Sequence, residues 1–290
     1  MPIKISRIIQ GCMTMGAWGK QLGASEFVKT IDHCVDQGIT TFDHADIYGD
    51  YTTERTFGDA FAKARAKREN VQFISKCGIQ YVGNSRPENT VKHYRYDADY
   101  IVWSAEKSLK DLQTDYLDIL LLHRPSPLMQ ADEVSTAIEK LKKEGKVLDF
   151  GVSNFTPSQT DLISKEVAIN YNQIEFSLTA LDAMTDGSLD YMQVKDIVPM
   201  CWSPLGALFK EESPQTIRLA NVLNQMAEKY NADVDQVTLA FILKHPANIH
   251  PVIGTTNLER ISKSVKALEI DLELQDWFML WEASMGNKVA

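Results

Sequence analysis

With 290 residues, 44% of them hydrophobic and 24% charged, the chain has the composition of one large globular domain or two small ones. The formal net charge of −9 argues against general nucleic-acid binding, and no apolar run approaches the ~20 residues that cross a bilayer. The four cysteines form no C-x-x-C pair and no signal-peptide pattern opens the chain, so we expect a cytoplasmic protein with reduced thiols and no disulfide framework or metal site.

Strand-like and helix-like segments alternate along the whole chain. The candidate strands are apolar, as parallel strands buried on both faces are. In order they are Arg7–Gly11, Thr41–His44, Val71–Lys76, Leu117–His123, Leu148–Ser153, Asn172–Phe176, Val198–Ser203 and His250–Gly254. Between them, apolar residues recur at helical spacing. One predicted helix face comprises Ile101, Ala105, Leu109 and Leu112, and another comprises Ile217, Ala220, Leu223, Ala227 and Tyr230.

Eight such units in this length predict a single (β/α)8 TIM barrel over residues 1–290, in preference to a doubly wound sheet. Leu274–Met285 is predicted as an extra C-terminal helix. Two connections are long, Gly78–Tyr96 after the third strand and Leu205–Thr216 after the seventh. Long loops are often lids or binding loops, although each could also be a solvated crossover. Both lie at the carboxyl ends of strands, where a barrel carries its site.

Side chains that can transfer a proton follow three consecutive predicted strands. Asp43 and Tyr48 follow the second strand, Lys76 ends the third and His123 ends the fourth. An ammonium beside a phenol lowers the pKa of the phenol and so eases proton donation to a developing alkoxide. Asp43 would hold Lys76 charged, and a neutral His123 would orient a substrate carbonyl. The set predicts carbonyl reduction, with the proton from Tyr48 and the hydride from a cofactor.

Each of these residues has a plainer interpretation on its own. Asp43 and Lys76 could form a surface ion pair, His123 could be a core histidine and Tyr48 could anchor a loop. An accidental occurrence of all of them at successive strand ends of one barrel is improbable. We therefore base the prediction on the set and not on any single member.

No G-x-G-x-x-G or P-loop sequence occurs, so a hydride carrier must be held by other groups. Ser153, Asn154 and Gln173 offer donors and acceptors for a carboxamide, and Trp202 offers a surface on which a flat ring can stack. The eighth strand runs into polar residues that cap a helix carrying Arg260. Helix N–H groups, hydroxyls and a guanidinium together predict a phosphate site there.

At these positions the chain resembles the aldo-keto reductase family. The segments that carry the resemblance extend over essentially the whole chain and are FDHADIYG, ISKCG, LLLHRP, GVSN, NQIEFS, CWSPLG and VIGTTNLERI. The resemblance implies that the catalytic residues are Asp43, Tyr48, Lys76 and His123 and that the cofactor is NADPH/NADP+. It implies carboxamide contacts and nicotinamide stacking from Ser153, Asn154, Gln173 and Trp202. It places the pyrophosphate loop at Ser203, Pro204, Leu205 and Gly206, and the 2′-phosphate site at Thr255, Thr256 and Arg260.

The chain also departs from the family pattern. Thr14 and Met15 lie in a first strand end that keeps only part of the family's glycine-rich sequence. Gly254 replaces a basic residue that many members use near the 2′-phosphate. Lys263 and Ser264 stand where members often carry an acid and an amide for the adenine. We include these residues in the predicted cofactor site, in which Arg260, helped by Lys263, is the basis for a preference for NADPH over NADH.

The sequence thus predicts a cytoplasmic, NADPH-dependent enzyme that reduces small aldehydes or ketones. One alternative is a non-catalytic nucleotide-sensing subunit, resembling the potassium-channel beta subunits that share this barrel. A second is a phosphate-binding barrel isomerase that needs no nicotinamide. The intact catalytic set favours the enzyme. Trp18, Tyr51 and Tyr81 are candidates for the substrate pocket.

Overall fold

The computed structural model describes residues 2–290, and ten strands are present in them. In order they are β1 (Ile9–Gly11), β2 (Thr41–Asp43), β3 (Gln72–Cys77), β4 (Ile79–Gln80), β5 (His93–Tyr94), β6 (Leu117–Leu122), β7 (Val147–Ser153), β8 (Tyr171–Glu175), β9 (Val198–Trp202) and β10 (His250–Ile253). All except β4 and β5 close into one barrel whose neighbouring strands are parallel. The predicted (β/α)8 barrel is confirmed, and no barrel strand begins or ends more than two residues from its predicted bounds.

Helices surround the barrel. They are α1 (Ala24–Asp36), α2 (Tyr48–Tyr51), α3 (Thr53–Phe61), α4 (Ala98–Leu112), α5 (Ala131–Lys143), α6 (Pro157–Ser164), α7 (Ser188–Val194), α8 (Pro214–Lys229), α9 (Val234–Leu243), α10 (Leu258–Lys266) and α11 (Leu274–Met285). The extra C-terminal helix is confirmed as α11, which packs outside the barrel and stacks Trp277 on Phe241 of α9 with ring centres 4.6 Å apart. Within residues 2–290, no helix is long and apolar enough to span a bilayer.

The predicted buried face is confirmed for α4 and wrong in part for α8. Ile101, Ala105, Leu109 and Leu112 of α4 are all buried. In α8, however, Ile217 is half exposed and Ala220 is exposed, whereas the buried residues are Thr216, Leu219, Leu223 and Met226. Apolar residues occupy more than one side of α8, so periodicity alone does not choose the side that faces the barrel.

The long connection after β3 contains structure that the sequence pattern did not indicate. Ile79 and Gln80 in β4 pair antiparallel with Tyr94 and His93 in β5. This two-stranded sheet fixes both ends of the segment beside the barrel mouth. The loop between them includes Tyr81, one of the predicted pocket residues.

The interior of the barrel is filled in layers, and this layering positions the site. Ile74, Leu121 and Tyr171 belong to a buried cluster that also contains Ile9, Ile119, Met200 and Val252. Side chains two residues apart on a strand share one face. The residues two positions further along these strands therefore point into the barrel as well, one layer closer to the carboxyl ends, and they are Lys76, His123 and Gln173.

Candidate active site

Lys76 lies at the centre of a buried cluster of polar side chains. Its ammonium donates to both carboxylate oxygens of Asp43 at 2.8 and 2.7 Å and to the carbonyl oxygen of His44 at 2.8 Å. It also donates to the hydroxyl oxygen of Tyr48 at 3.1 Å. Lys76 and Asp43 are only 1% and 2% exposed. The structure therefore brings together three of the predicted catalytic residues around one ammonium.

A tight turn after β2 presents Tyr48 to Lys76. Tyr48 begins the short helix α2, in which Gly49 and Asp50 have φ of 61° and 56°, in the left-handed region. A Cβ atom on Gly49 would lie 2.4 Å from Oγ1 of Thr53, so only glycine fits there without a shift. The conformation of this turn thus explains why a glycine follows the tyrosine.

The charge state of Lys76 follows from its neighbours. Burial alone lowers the pKa of an ammonium, but the Asp43 carboxylate and the Tyr48 hydroxyl outweigh it and raise the pKa of Lys76 above its ordinary value. Lys76 is therefore charged at neutral pH.

The pKa of the Tyr48 phenol differs from the expectation. Burial raises the pKa of Tyr48 above its ordinary value, and the opposing effect of the Lys76 charge is smaller. The expectation of a lowered phenol pKa is therefore wrong for this structure, because it neglected desolvation. Since Lys76 donates to the phenol oxygen, the proton of Tyr48 can point away from Lys76.

His123 completes the predicted set. Its ring centre lies 6.0 Å from that of Tyr48, and its backbone N–H donates to the carbonyl of Cys77 at 2.9 Å. Burial lowers the pKa of His123 well below the ordinary histidine value, and the charges of Lys76 and Arg124 act in the same direction. The imidazole is therefore neutral at physiological pH, which is the form that the expected contact with a substrate carbonyl requires. Its Nδ1 atom is buried and has no hydrogen-bond partner among residues 2–290.

A chain of hydrogen bonds links this cluster to the predicted carboxamide site. The side-chain amide of Gln173 donates to Oδ1 of Asp43 at 2.8 Å, and the Ser153 hydroxyl donates to the backbone carbonyl oxygen of Gln173 at 2.8 Å. Asn154 donates to the Ser153 hydroxyl at 2.8 Å, and the Trp202 indole donates to Oδ1 of Asn154 at 3.0 Å. The predicted carboxamide and stacking residues thus form one connected group with the Asp43 carboxylate.

The predicted pyrophosphate loop, Ser203 to Gly206, follows β9 directly. Ser203 and Gly206 have φ of 51° and 53°, and a non-glycine residue in this region is uncommon. A Cβ atom on Gly206 would lie 2.0 Å from Oγ1 of Thr179, which itself accepts from the N–H of Ala207 at 3.0 Å. Thr179 therefore closes the loop from the neighbouring connection, and no motif in the sequence indicated this role.

The predicted 2′-phosphate site lies at the start of α10. Asn257 caps this helix by accepting from the N–H of Arg260 at 3.0 Å. The Arg260 side chain is exposed and has no hydrogen bond or ion pair within the part of the chain that the structure describes. Thr14 donates to the carbonyl of Gly254 at 2.5 Å, which ties the end of β1 to the end of β10. Thr255 and Thr256 are half-buried between these groups.

Three predicted cofactor residues have other contacts. The Lys263 ammonium lies 2.8 Å from Asp233 and 3.2 Å from Glu259, so two carboxylates already neutralise it. The Ser264 hydroxyl donates to the carbonyl of its own helix at 2.9 Å. Met15 is fully buried in the core. The roles of these residues toward a cofactor stay predictions.

The candidate pocket residues differ in their surroundings. The Trp18 ring centre lies 6.4 Å from that of Tyr48 and 5.1 Å from that of Tyr81, so Trp18 and Tyr81 line the rim next to the phenol. Tyr51 is buried, and its hydroxyl donates to the carbonyl of Ile79 at 3.3 Å and accepts from the N–H of Tyr81 at 2.9 Å. Tyr51 thus supports the rim from behind.

Besides Thr179, sequence reasoning missed two residues close to Lys76 and His123. The carbonyl of His44 is one of the acceptors around Lys76. Arg124 follows His123 directly, and its guanidinium carbon lies 5.4 Å from the centre of the Trp202 ring. The adjacency of Arg124 to His123 was the available signal. Residues 2–290 contain no group of three or more His, Cys, Asp or Glu side chains arranged to hold a metal ion.

The sequence is similar to that of known oxidoreductases. A family model described as "Aldo/keto reductase family" matches residues 7–284 of the chain. The oxidoreductase YcsN of Bacillus subtilis, described as uncharacterized, is 40% identical over 292 residues, which cover 99% of this chain and 97% of YcsN. A 6-dehydroglucose reductase of Agrobacterium fabrum is also 40% identical over 292 residues, which cover 99% of this chain and 97% of that protein.

Solved structures share the fold. The thermostable aldo-keto reductase Tm1743, solved with the inhibitor epalrestat, matches with a TM-score of 0.83 at 24% identity, over 96% of this chain and 95% of that one. An aldo/keto reductase of Klebsiella pneumoniae, solved with NADP and acetate, matches with a TM-score of 0.77 at 25% identity, over 95% of this chain and 90% of that one.

Proposed function

The chain belongs to the aldo-keto reductase family of oxidoreductases, and we propose that it reduces aldehydes or ketones to alcohols with NADPH, with Tyr48 as the proton donor. The observation that carries this proposal is the buried ammonium of Lys76, held between the Asp43 carboxylate and the Tyr48 hydroxyl. This arrangement supplies a proton and stabilises the negative charge that its departure leaves behind.

Tyr48 and Lys76 have complementary parts in this proposal. Burial keeps the phenol protonated until it acts, because it raises the pKa of Tyr48. When the proton moves to the developing alkoxide, the phenolate forms 3.1 Å from the charge of Lys76, which stabilises it in a site of low dielectric constant. Asp43 and the carbonyl of His44 hold Lys76 in position.

His123 acts on the substrate in its neutral form. Because its pKa is well below the ordinary value, the imidazole carries no charge that would compete with Lys76. A neutral imidazole can donate one hydrogen bond to a carbonyl oxygen and so orient it toward Tyr48.

The residues around the barrel mouth fit a nicotinamide nucleotide. Gly206 packs so closely against Thr179 and Ser177 that no Cβ atom would fit there, and Asn154 and Ser203 are held in the left-handed region, so the loop has a fixed shape at the mouth. We propose that Ser153, Asn154 and Gln173 bind the carboxamide, that Trp202 stacks on the ring, that residues 203–206 bind the pyrophosphate and that Thr255, Thr256 and Arg260 bind the 2′-phosphate. Reduced nicotinamide supplies a hydride when bound.

The relatives guide the choice of substrates. The Klebsiella pneumoniae structure contains NADP, and the Agrobacterium fabrum relative is described as a 6-dehydroglucose reductase. NADPH is therefore the first cofactor to test, and aldehydes of oxidised sugars belong in the first substrate panel beside simple aldehydes and ketones.

The experiment is a carbonyl panel assayed by NADPH oxidation, with Tyr48→Phe as the control for background reduction. We expect turnover of at least one carbonyl class by the wild-type protein and little by the variant. Tight NADPH binding without turnover of any carbonyl would favour the nucleotide-sensing subunit. No binding of reduced nicotinamide in a fluorescence titration would favour the isomerase.

A further inference from the structure

Arg124 occupies an unusual position at the mouth of the barrel. It follows His123, and both backbone groups of Arg124 are fixed by the hydroxyl of Tyr96: the N–H donates to it at 3.2 Å and the carbonyl accepts from it at 2.6 Å. The side chain then extends toward Trp202, whose ring centre lies 5.4 Å from the guanidinium carbon. The guanidinium is therefore held beside two residues of the site, His123 and Trp202.

The guanidinium of Arg124 is unpaired in the described part of the chain. Within residues 2–290, the Arg124 side chain forms no hydrogen bond and no ion pair, although the residue is half-buried. Its guanidinium carbon lies instead over the face of Trp202, a favourable contact for a cation. The Arg124 residue is only half-buried, so water can reach its nitrogen atoms and oxygen atoms of a ligand can replace that water. The five N–H donors of the fork are thus available to oxygen atoms in the mouth.

The groups around the mouth form a continuous rim. Tyr81 packs against Trp18, Trp18 against Tyr48, and Tyr48 against His123, with ring centres 5.1, 6.4 and 6.0 Å apart respectively. Arg124 continues this rim from His123 to Trp202. A carbonyl compound held by Tyr48 and His123 would have mainly aromatic surface around it. Lys76 lies buried beneath Tyr48, whereas Arg124 is a cation on the rim itself.

We propose that Arg124 is a specificity-determining residue that binds oxygen atoms of the substrate beyond the reacting carbonyl. The inference rests on the proposed reductase function and adds a substrate class to it: aldehydes or ketones whose tail carries a carboxylate or hydroxyl groups. A guanidinium fork recognises both kinds of oxygen, a carboxylate by charge and two hydrogen bonds and a hydroxyl by a hydrogen bond alone.

The test compares two matched pairs of substrates. Succinic semialdehyde and butanal differ by a carboxylate, and glyceraldehyde and propanal differ by hydroxyls. We expect Arg124→Leu, which keeps an apolar contact with Trp202, to lower kcat/KM for the oxygenated member of at least one pair by about ten- to hundredfold. Its kcat/KM for butanal and propanal should change little, and the loss should appear mainly in KM.

The variant Arg124→Lys distinguishes a carboxylate tail from a hydroxylated tail. Lysine keeps the charge and loses the planar fork, so it should restore most of the activity on succinic semialdehyde if the natural tail is a carboxylate. If the tail is hydroxylated, glyceraldehyde should be the sensitive substrate in both variants.

Three outcomes would overturn the inference. Equal loss for both members of each pair would show that Arg124 acts only through His123 or Trp202. Weaker NADPH binding in Arg124→Leu, measured by fluorescence titration, would assign Arg124 to the cofactor. If the wild-type protein reduces none of the four compounds, the reductase proposal fails for them. Arg124 can then be tested directly by measuring the binding of succinate or glycerol to the protein in the presence of NADP+ by calorimetry. If Arg124→Leu binds these compounds as tightly as the wild type, the role of Arg124 is refuted.

Discussion

The side-chain amide of Gln173 donates a hydrogen bond of 2.8 Å to Oδ1 of Asp43 and so joins β8 to β2 across the interior of the barrel. Asp43 thereby receives donors from two directions, since Lys76 contacts both of its oxygens. The carboxylate is fixed in rotation, and the ammonium is fixed with it. A residue that we propose to contact the cofactor thus also positions the buried pair of Lys76 and Asp43.

Removing one member of this buried pair should destabilise the protein strongly. Lys76→Met leaves the Asp43 carboxylate without its cation in a site that is 2% exposed. Loss of one partner of a buried ion pair typically costs ~3–5 kcal/mol, so the free energy of unfolding in urea should fall by about that amount. The double variant Lys76→Met with Asp43→Asn removes the uncompensated charge and should recover much of the loss. A single variant as stable as the wild type would mean that the pair is hydrated in solution.

The proton donor can be tested without changing the shape of the site. Tyr48→Phe removes the hydroxyl that lies 3.1 Å from Lys76. General acid catalysis is typically worth ~10²–10⁴-fold, so kcat should fall by about this factor while the Kd of NADPH changes little. Retention of most of the wild-type turnover would transfer the acid role to His123 or to a water molecule.

The barrel and most of the site were predictable because their signals are local. Strand residues two apart share a face, so an apolar residue at position 74 or 121 implies that Lys76 or His123 also points inward. Polar residues at the carboxyl ends of buried parallel strands then lie close together at one end of the barrel. The α8 face was predicted wrongly because Ile217 and Leu223 lie on different sides of the helix and either could have faced the core.

What the sequence could not indicate depends on contacts between distant segments. The pKa of Tyr48 is a balance of burial and charge, and the extent of burial is known only once the rim has formed around the phenol. The pairing of side chains from distant segments is equally absent from the sequence pattern, as for Lys263 with Asp233 or Arg124 with Trp202. Such pairs have no fixed spacing in the chain.

A buried acid behind the site should make stability depend on pH. Glu54 in α3 accepts hydrogen bonds from Ser75 and Ser108, and burial raises the pKa of Glu54 to about 7. The unfolded chain releases this proton near pH ~4.3, so the native state is favoured below that pH and loses stability as pH rises from there through 7. The loss amounts to roughly 3–4 kcal/mol by pH ~8, because the native pKa of about 7 lies well above ~4.3 and each unit of difference corresponds to ~1.36 kcal/mol.

Glu54→Gln should flatten this dependence. Glutamine cannot ionise and can still accept a hydrogen bond from one of the two serines. The free energy of unfolding of the variant should therefore rise relative to that of the wild type between about pH 5 and 8. Unfolding in urea at both pH values measures the difference. Some slope should remain, because burial also raises the pKa of Asp46 to about 6. An identical pH dependence for variant and wild type would show that Glu54 is already ionised in the native state.

Cofactor preference should depend on Arg260 and not on Lys263. The exposed guanidinium of Arg260 has no partner among residues 2–290, and it stands in the first turn of α10, where helix N–H groups also favour an anion. Lys263 is already neutralised by Asp233 and Glu259, which lie 2.8 and 3.2 Å from its ammonium. The earlier expectation that Lys263 assists therefore has little support in the geometry.

Arg260→Ala should raise the Kd of NADPH about ten- to hundredfold and leave the Kd of NADH almost unchanged, since a charge-assisted hydrogen bond contributes ~1.5–3 kcal/mol and NADH lacks the phosphate that receives it. Lys263→Ala is the matched control on the same helix and should change both constants by less than about threefold, as expected for an exposed ion pair. Both constants can be measured by quenching of tryptophan fluorescence, to which Trp202 should contribute if it stacks on the nicotinamide. Equal weakening of NADPH and NADH in Arg260→Ala would show that Arg260 does not distinguish the two cofactors, and a larger effect of Lys263→Ala would move the phosphate site along the helix.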